Sequence, residues 1–133
     1  VKRVAFVDGS CYPNPGAGSW AVVIAEDTNT IWETTGYLEH ATNNQCELMA
    51  ILRCLEFKPE LIRTDSQYCQ RVLTRYIPNR HKNGKLIDYI FARLDCPVVW
   101  LPRNSVPQHA RADELAKQEL RKHVVIPKNI FYV

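Results

Sequence analysis

Two short apolar segments of this chain end in an aspartate, and both have the composition of β-strands. VKRVAFVD ends at Asp8 and ELIRTD ends at Asp65. Apolar runs of this kind predict strands, and a carboxylate at the end of a strand lies in a cleft at the edge of the sheet. Two further acids, Glu47 in TNNQCELMA and Asp113 in RADELA, fall at the starts of amphipathic segments that predict helices. Such helices can bring their side chains to the strand ends, so we expect the four carboxylates to converge.

Four carboxylates in one cleft predict a divalent-metal site. Closely packed carboxylates raise one another's proton affinity, so the cluster needs a cation to stay ionised. Hard oxygen ligands suit Mg²⁺ or Mn²⁺. The alternative is that some of these acids only cap helices, since acidic side chains are favoured in a first helical turn. That alternative concerns Glu47 and Asp113 and stays open for either acid taken singly.

The order of the predicted elements indicates a mixed sheet. Three strands come first, at residues 2–8, 19–25 and 30–38, with a polar connection at residues 26–29 that predicts a hairpin. Helices and shorter strands then follow: a helix at 44–57, a strand at 61–65, helices at 66–76 and 86–94, a strand at 98–101 and a helix at 109–122. An antiparallel meander followed by this alternation predicts an α/β fold.

Length and composition fit one folded domain. With 133 residues, 46% of them hydrophobic, the chain has room for one core but not for two. We therefore expect a single domain over residues 1–133, with a tail at residues 123–133 whose packing is open. No segment has the pattern of a membrane span or a secretory leader, so we expect no membrane association and a cytoplasmic setting. The five cysteines are odd in number and lack a CxxC pair, which indicates reduced, mostly buried thiols.

Four motifs follow one another along the chain. They are Asp8, Gly9 and Ser10 with the turn Asn14, Pro15 and Gly16; Thr42, Asn43 and Asn44 before Glu47, Leu48 and Met49; Asp65, Ser66, Gln67 and Tyr68; and Asp113, Glu114 and Leu115. In these motifs the chain resembles the type 1 ribonuclease H (RNase HI) family, whose members cut the RNA strand of an RNA/DNA hybrid. The resemblance extends from about residue 4 to about residue 121. It implies the ribonuclease H-like fold, a five-stranded mixed sheet flanked by helices, with the four carboxylates gathered on the central strands.

The resemblance also implies an activity and a mechanism. The chain would be a hydrolase, an endonuclease that uses two Mg²⁺ ions, for which Mn²⁺ can substitute, and that leaves 5′-phosphate and 3′-hydroxyl ends. Asp8 would bind both ions. Glu47 and Asp65 would share the leaving-group side, and Asp113 would lie on the side of the attacking water.

Amide side chains near the acids are the expected contacts to the hybrid. Distinguishing RNA from DNA requires groups that both donate and accept hydrogen bonds at 2′-hydroxyls, and amides do both. By the resemblance, the RNA strand is contacted by Asn14, Asn43, Asn44 and Gln67. Thr42 and Asn79 match positions that seat a DNA phosphate, and Tyr76 matches an aromatic position that lines the DNA groove. Asn14 can equally be a turn residue of its Pro-Asn-Pro-Gly loop, and both roles can hold together.

The net charge of +3 is unevenly distributed. One stretch without acids contains five basic residues, Arg71, Arg75, Arg80, Lys82 and Lys85. We expect this stretch to contact the hybrid backbone, with an affinity that falls as salt rises. The alternative is a solvated helix face and loop.

Two departures from the family pattern bear on affinity and mechanism. Many members insert a basic handle helix where residues 76–86 form a short connection, so we expect no handle and weaker hybrid binding unless a partner supplies positive surface. Asn104 stands where the family has a mobile loop histidine. His109, four residues before Asp113, would share a helix face with that acid and is a candidate substitute in catalysis, since imidazole titrates near neutral pH. The alternative is that His109 is simply a residue at the start of a helix.

Other functions stay open at this point. An integrase or another nuclease of the same fold is one alternative, although integrases lack the TNNQCEL helix with its amides. A silent nucleic-acid-binding module is another, but such a module is expected to have lost acids, and all four are present. The expected partner is an RNA/DNA hybrid. The protein would act as a monomer or as a domain of a larger polymerase polyprotein, such as a reverse transcriptase.

Overall fold

Three antiparallel strands form one half of the sheet. In the computed structural model, which describes residues 2–75 and 82–127, these strands are β1 (Arg3–Tyr12), β2 (Gly16–Glu26) and β3 (Asn29–Ala41). Asp27 turns the chain between β2 and β3 with φ at 57°, a conformation that Asp tolerates better than most residues. Glu26 pairs with Asn29, so the hairpin predicted at residues 26–29 is confirmed.

The other half of the sheet is parallel and carries the helices. β4 (Leu61–Thr64) pairs with β1, and β5 (Val98–Trp100) pairs with β4, which gives the strand order β3-β2-β1-β4-β5. The helices are α1 (Asn43–Cys54) with a 3₁₀ turn at Leu55–Phe57, α2 (Gln67–Thr74), α3 (Gly84–Arg93) and α4 (Pro107–Arg121). The predicted five-stranded mixed sheet flanked by helices is confirmed. Within the two described ranges, none of these helices has the length and apolarity that crossing a bilayer requires.

Strand β1 is longer than predicted, and this changes the position of Asp8. The antiparallel ladder of β1 with β2 continues to Tyr12 opposite Ala17, whereas its parallel ladder with β4 stops at Val7 opposite Thr64. Asp8 therefore lies inside β1 rather than at its end, one residue beyond the last pair with β4. The expected boundary was wrong because the apolar pattern breaks at Asp8, whereas backbone pairing with β2 does not depend on side-chain polarity.

Both faces of the central strands are buried. Alternate residues of a strand point to opposite faces: in β1, Ala5 and Val7 join the core formed with α1, α2 and α3, whereas Phe6 packs with Val23 and Ala112 beneath α4. Each fully buried aliphatic side chain stabilises the fold by about 1.5–3 kcal/mol. Since α1 and α4 are thereby held on opposite faces of β1, both can reach the same edge of the sheet.

Side-chain caps fix where the helices next to this edge begin. Thr42 Oγ1 accepts a hydrogen bond from Gln45 N–H at 3.2 Å, and Gln45 Oε1 accepts one from Thr42 N–H at 2.9 Å. This is a capping box at the start of α1. Ser66 caps α2 by accepting from Cys69 N–H at 3.1 Å. The caps set the rotation of each helix and hence which of its residues face the sheet.

None of the five cysteines forms a disulfide. Cys46, Cys54 and Cys69 are buried, and Cys11 and Cys96 are half-buried. Burial raises the pKa of the Cys46 and Cys69 thiols to about 12. These thiols stay protonated at neutral pH and pack as small apolar groups, as the sequence predicted.

Candidate active site

Asp8 and Asp65 lie side by side because β1 and β4 are parallel. Val7 and Thr64 form the last pair of the ladder, and one aspartate follows each of them directly. Clefts that bind ligands form at the carboxyl ends of parallel strands. Asp8 is only 4% exposed and accepts a hydrogen bond from Gly9 N–H at 3.0 Å, while the Asp65 side chain is 13% exposed. The two carboxylates form the floor of a cleft.

A close contact at Gly9 brings Glu47 of α1 against this floor. A Cβ on Gly9 would lie 2.6 Å from the backbone nitrogen of Glu47 and 2.7 Å from the carbonyl carbon of Cys46. No side chain can occupy that space, so β1 and α1 approach each other this closely only because residue 9 is glycine. The Glu47 side chain is buried, at 6% exposure.

Asp113 reaches the same cleft on α4. Its side chain is 14% exposed, and it lines a cavity of about 270 Å³ with Asp8, Glu47 and Asp65. We expected Glu47 and Asp113 at the starts of helices, but α1 and α4 begin earlier, and neither has an acid in its first turn. Both acids therefore lie in second turns, and neither caps its helix.

Burial and mutual repulsion raise the proton affinity of the two deepest carboxylates. Desolvation, followed by the charge of Asp65, raises the pKa of Asp8 well above its ordinary value. Desolvation, followed by the charge of Asp8, has the same effect on Glu47. Among the described residues, Glu47 Oε1 is buried without a hydrogen-bond partner. An orphaned carboxylate oxygen beside further carboxylates is a donor set for a hard divalent cation, so the residues present fit the metal that the sequence predicts.

His109 lies beneath the cleft as a fully buried residue of α4. Its Nε2 is 3.2 Å from the carbonyl oxygen of Val7 and 3.9 Å from Asp65 Oδ1. Asp8, Asp65 and His109 each place one possible ligand atom within 4.8 Å of the others. His109 is the third residue of α4, so it does lie at the start of a helix, but it is buried there rather than exposed. Asn104, by contrast, is exposed in the loop before α4, with φ at 55°.

Two cations that were not predicted share the cleft. Lys117 Nζ lies 2.9 Å from Asp113 Oδ2, and Arg103 Nη2 lies 3.8 Å from Asp113 Oδ1. Lys117 follows Asp113 by four residues, a spacing that places both on one helix face, so the sequence did contain a signal for this pair. Arg103 comes from the loop after β5, and its position had no such signal. Both cations offset part of the negative charge and compete with a metal ion for Asp113.

Most of the predicted substrate contacts line a groove beside the cleft. Asn14, Thr42, Asn43 and Asn44 border a space of about 530 Å³ together with Lys82. Asn14 Oδ1 accepts a hydrogen bond from Asn43 N–H at 3.0 Å, which ties the turn between β1 and β2 to the start of α1. Asn43 also lines the carboxylate cleft. We call this the amide groove.

Asn83 belongs to the amide groove as well, although the sequence did not single it out. Its Oδ1 accepts from Gln45 Nε2 at 3.2 Å, and its Nδ2 donates to the Tyr68 hydroxyl at 3.1 Å. These bonds connect α1 and α2 to the start of α3. A signal was present only as an Asn-Gly pair, which is more often a turn than a site.

The remaining predicted contacts lie elsewhere. Gln67 lines a separate groove along α2 and β5. Tyr76 and Asn79 lie outside the described residues, as does Arg80. The connection that we expected to lack a handle helix also falls largely on residues 76–81, which are not described.

Comparisons with known sequences bear on this arrangement. A family model described as RNase H matches residues 2–121. A ribonuclease H of Methylorubrum extorquens (strain PA1) is 42% identical over 81 residues, which cover 58% of this chain and 35% of that protein. A ribonuclease H of Aromatoleum aromaticum (strain DSM 19018 / LMG 30748 / EbN1) is 31% identical over 135 residues, which cover 85% of this chain and 86% of that protein. The matched region is therefore about a third of one curated relative and most of the other.

Solved structures show the same fold. LC11-RNase H1, isolated from compost by a metagenomic approach, is similar with a TM-score of 0.79 and 27% identity over 91% of this chain and 96% of that chain. The structure of LC11-RNase H1 in complex with an RNA/DNA hybrid has a TM-score of 0.77 and 26% identity over 91% of this chain and 98% of that chain.

Proposed function

Since this chain belongs to the ribonuclease H family, we propose that it is a metal-dependent endonuclease that hydrolyses the RNA strand of RNA/DNA hybrids. The convergence of Asp8, Glu47, Asp65 and Asp113 on one buried cleft carries this assignment. The similarity to LC11-RNase H1, which has been solved with such a hybrid, supports the substrate class.

The four carboxylates are the residues that would hold two divalent cations, Mg²⁺ by preference and Mn²⁺ as a substitute. Bound cations supply an activated water and neutralise the charge that develops at the scissile phosphate. Asp8 would help to hold both ions. Glu47 and Asp65 would act on the side of the leaving 3′ oxygen, and Asp113 would act on the side of the attacking water.

Cleavage adds water to phosphorus and breaks the bond between phosphorus and the 3′ oxygen. The leaving oxygen takes up a proton, so the products carry a 5′-phosphate and a 3′-hydroxyl. Lys117 and Arg103 hold the Asp113 carboxylate at the cleft wall, where it can accept a hydrogen bond from the attacking water.

His109 positions the floor of the cleft. It is fully buried, so it is not placed to move through solvent as a loop histidine would. Its Nε2–H donates to the carbonyl oxygen of Val7, the residue before Asp8. This bond holds the backbone of β1 where the parallel ladder with β4 ends, and so fixes the separation of Asp8 and Asp65.

The amide groove receives the hybrid. The amides of Asn14, Asn43 and Asn44 can donate to and accept from 2′-hydroxyls of the RNA strand, and Gln67 can do so from its own groove. Thr42 would seat a phosphate of the DNA strand; the same role for Asn79 and the DNA contact of Tyr76 rest on the sequence resemblance, because both residues lie outside the described ranges. All four carboxylates come from one chain, which supports action as a monomer or as one domain of a polyprotein.

The test is cleavage of a labelled RNA/DNA hybrid beside double-stranded RNA, double-stranded DNA and single-stranded RNA, each with Mg²⁺, with Mn²⁺ and with chelator. We expect cutting of the hybrid's RNA strand alone, and only with metal. Hybrid binding without any cutting would instead point to a silent binding module.

A further inference from the structure

A second groove, beside the carboxylate cleft, lies between α2 and β5. It has a volume of about 610 Å³, and its lining includes Gln67, Gln70, Arg71, Thr74, Arg75 and Trp100. None of these residues lines the amide groove, which lies on the other side of α2. We call this the arginine groove.

Trp100 joins the arginine groove to the cleft. This last residue of β5 is 40% exposed, and its Nε1–H donates to the backbone carbonyl oxygen of Asp65 at 3.1 Å. The indole is thus held beside a residue of the carboxylate cluster while part of its surface faces solvent. Exposed aromatic surface of this kind stacks on the sugars and bases of nucleic acid strands.

The charge of the arginine groove is positive. Gln67 and Arg71 are four residues apart on α2 and therefore lie on one side of the helix, and Arg75, which follows the last helical residue, lines the same groove. Both arginines are exposed, and no acid lines the groove. Within residues 2–75 and 82–127, neither guanidinium forms a salt bridge, and that of Arg71 lies 5.9 Å from the centre of the Tyr68 ring. Unpaired guanidinium groups bind phosphate oxygens well, because their planar donors match that geometry.

We propose that the arginine groove binds the RNA strand of the hybrid on one side of the scissile phosphate. Trp100 packs against a nucleotide next to the cut, and Arg71 and Arg75 bind phosphates further along. This assignment rests on the ribonuclease H function proposed above. The RNA strand is chosen over the DNA strand because Gln67, a proposed RNA contact, lines the groove, and Trp100 bonds the groove to the backbone of Asp65 in the catalytic cleft. The basic stretch of the sequence is thereby divided: Arg71 and Arg75 serve this groove, while Lys82 lines the amide groove.

The first experiment removes the two charges. The double variant Arg71→Gln/Arg75→Gln should raise the KM for hybrid about tenfold and leave kcat within about twofold. In chelator, where no cleavage occurs, the slope of log Kd against log salt concentration should fall by about one for each arginine removed. An unchanged KM and an unchanged salt slope would overturn the assignment.

Lys122→Gln is the matched control for charge. Lys122 is 68% exposed just after the end of α4, and its Nζ lies 3.2 Å from Glu119 Oε1 on the surface. It lies nine residues after Asp113, about 13 Å along the helix. This variant should bind and cleave as the unmodified protein does. A rise in KM equal to that of the double variant would show a general effect of charge and would count against a specific groove.

The second experiment identifies the strand. Hybrids with single neutral methylphosphonate linkages, placed in turn along the RNA or the DNA strand, are bound in chelator. Neutral linkages at one or two RNA positions on one side of the cut should weaken binding to the unmodified protein but not further weaken binding to the double variant. Coupling of the two arginines to DNA-strand linkages instead would contradict the assignment.

The contribution of Trp100 is tested with two variants. Trp100→Phe keeps an aromatic face but loses the N–H bond to Asp65, whereas Trp100→Leu loses both. Affinity for the hybrid should be nearly retained with Phe and should fall several-fold with Leu. Equal losses in both variants would show that the hydrogen bond, not stacking, is what matters.

The two proposals can fail separately. If the unmodified protein cuts hybrids and the double variant binds and cuts them equally well, the proposal for the arginine groove is wrong and the proposed nuclease function is retained. If the unmodified protein does not cut hybrids, but the double variant binds them more weakly and the two arginines are coupled to linkages of the RNA strand, the proposal for the arginine groove is retained and the proposed nuclease function is wrong.

Discussion

Lys117 is the residue whose charge most directly opposes metal binding. Its Nζ lies 2.9 Å from Asp113 Oδ2, and the side chain is only 14% exposed. Lys117→Gln removes a cation that competes for Asp113, at a cost in pairing energy of about 1 kcal/mol. We therefore expect the Mg²⁺ concentration for half-maximal cleavage to fall by roughly fivefold. Metal titrations of the two proteins measure this, and a higher Mg²⁺ requirement would show that Lys117 assists catalysis in another way.

Variants of His109 can show whether this residue positions β1 or transfers a proton. His109→Ala leaves a buried cavity and removes the hydrogen bond from Nε2–H to the Val7 carbonyl oxygen, so we expect a loss of about 2–4 kcal/mol in the free energy of unfolding, with reduced cleavage. His109→Gln can place an amide N–H where Nε2–H lies now. If His109 only positions β1, the Gln variant should recover most of the activity with an unchanged pH profile. Activity as low with Gln as with Ala, in a protein that stays folded, would indicate proton transfer by the imidazole.

Among the elements, the contact of β1 with α1 controls the geometry of the cleft. Gly9→Ala places a Cβ within 2.6 Å of the backbone of α1, which forces strand and helix apart. Overpacking of this kind costs about 1–3 kcal/mol. We expect a lower melting temperature and, because Glu47 moves away from Asp8, a loss of metal-dependent stabilisation. Thermal unfolding with and without Mg²⁺ measures both; an Ala variant that metal stabilises as fully as the unmodified protein would contradict this view of Gly9.

Element types were predictable because periodicity reports which faces are buried, and each predicted strand and helix is present in the structure. The ends of the elements were less predictable. Asp8 lies inside β1 because pairing with β2 continues past the apolar pattern, and Glu47 and Asp113 lie one and two residues deeper in their helices than expected because α1 and α4 begin earlier. Arg103 and Trp100 could not be placed from the sequence, because only the tertiary fold brings the end of β5 and the loop after it to the carboxylates.

At the scale of the whole molecule, metal and pH are linked through the carboxylate cluster. The pKa values of Asp8 and Glu47 are raised above their ordinary values of 3.8 and 4.5. A carboxyl group whose pKa is higher in the folded than in the unfolded protein stabilises the fold fully at a pH below its ordinary pKa. This contribution is lost as the pH rises through the raised pKa of the folded protein. The free energy of unfolding in chelator should therefore fall as pH rises above the ordinary values of these two acids. Divalent metal should reverse the fall, because the cation favours the ionised carboxylates.

Asp8→Asn is the control for this linkage. The neutral amide removes one of the two buried acids with little change in volume, so in chelator at neutral pH the variant should be more stable than the unmodified protein. Its stability should also depend less on pH and respond less to Mg²⁺. Denaturant unfolding across pH measures all three. Steeper pH dependence in the variant would mean that groups other than this cluster are responsible.

The most direct measurement is cleavage of a hybrid whose RNA strand is end-labelled, by the unmodified protein and by Asp8→Asn, with Mg²⁺ and with chelator. We expect the unmodified protein with Mg²⁺ to give RNA fragments with 5′-phosphate and 3′-hydroxyl ends, and no cleavage in chelator. Asp8→Asn should bind the hybrid, remain folded and lose at least about a thousandfold in rate, since electrostatic and metal-ion catalysis supplies several kcal/mol. Cleavage by Asp8→Asn at a comparable rate, or by the unmodified protein in chelator, would contradict the assignment of these four carboxylates as the catalytic metal site.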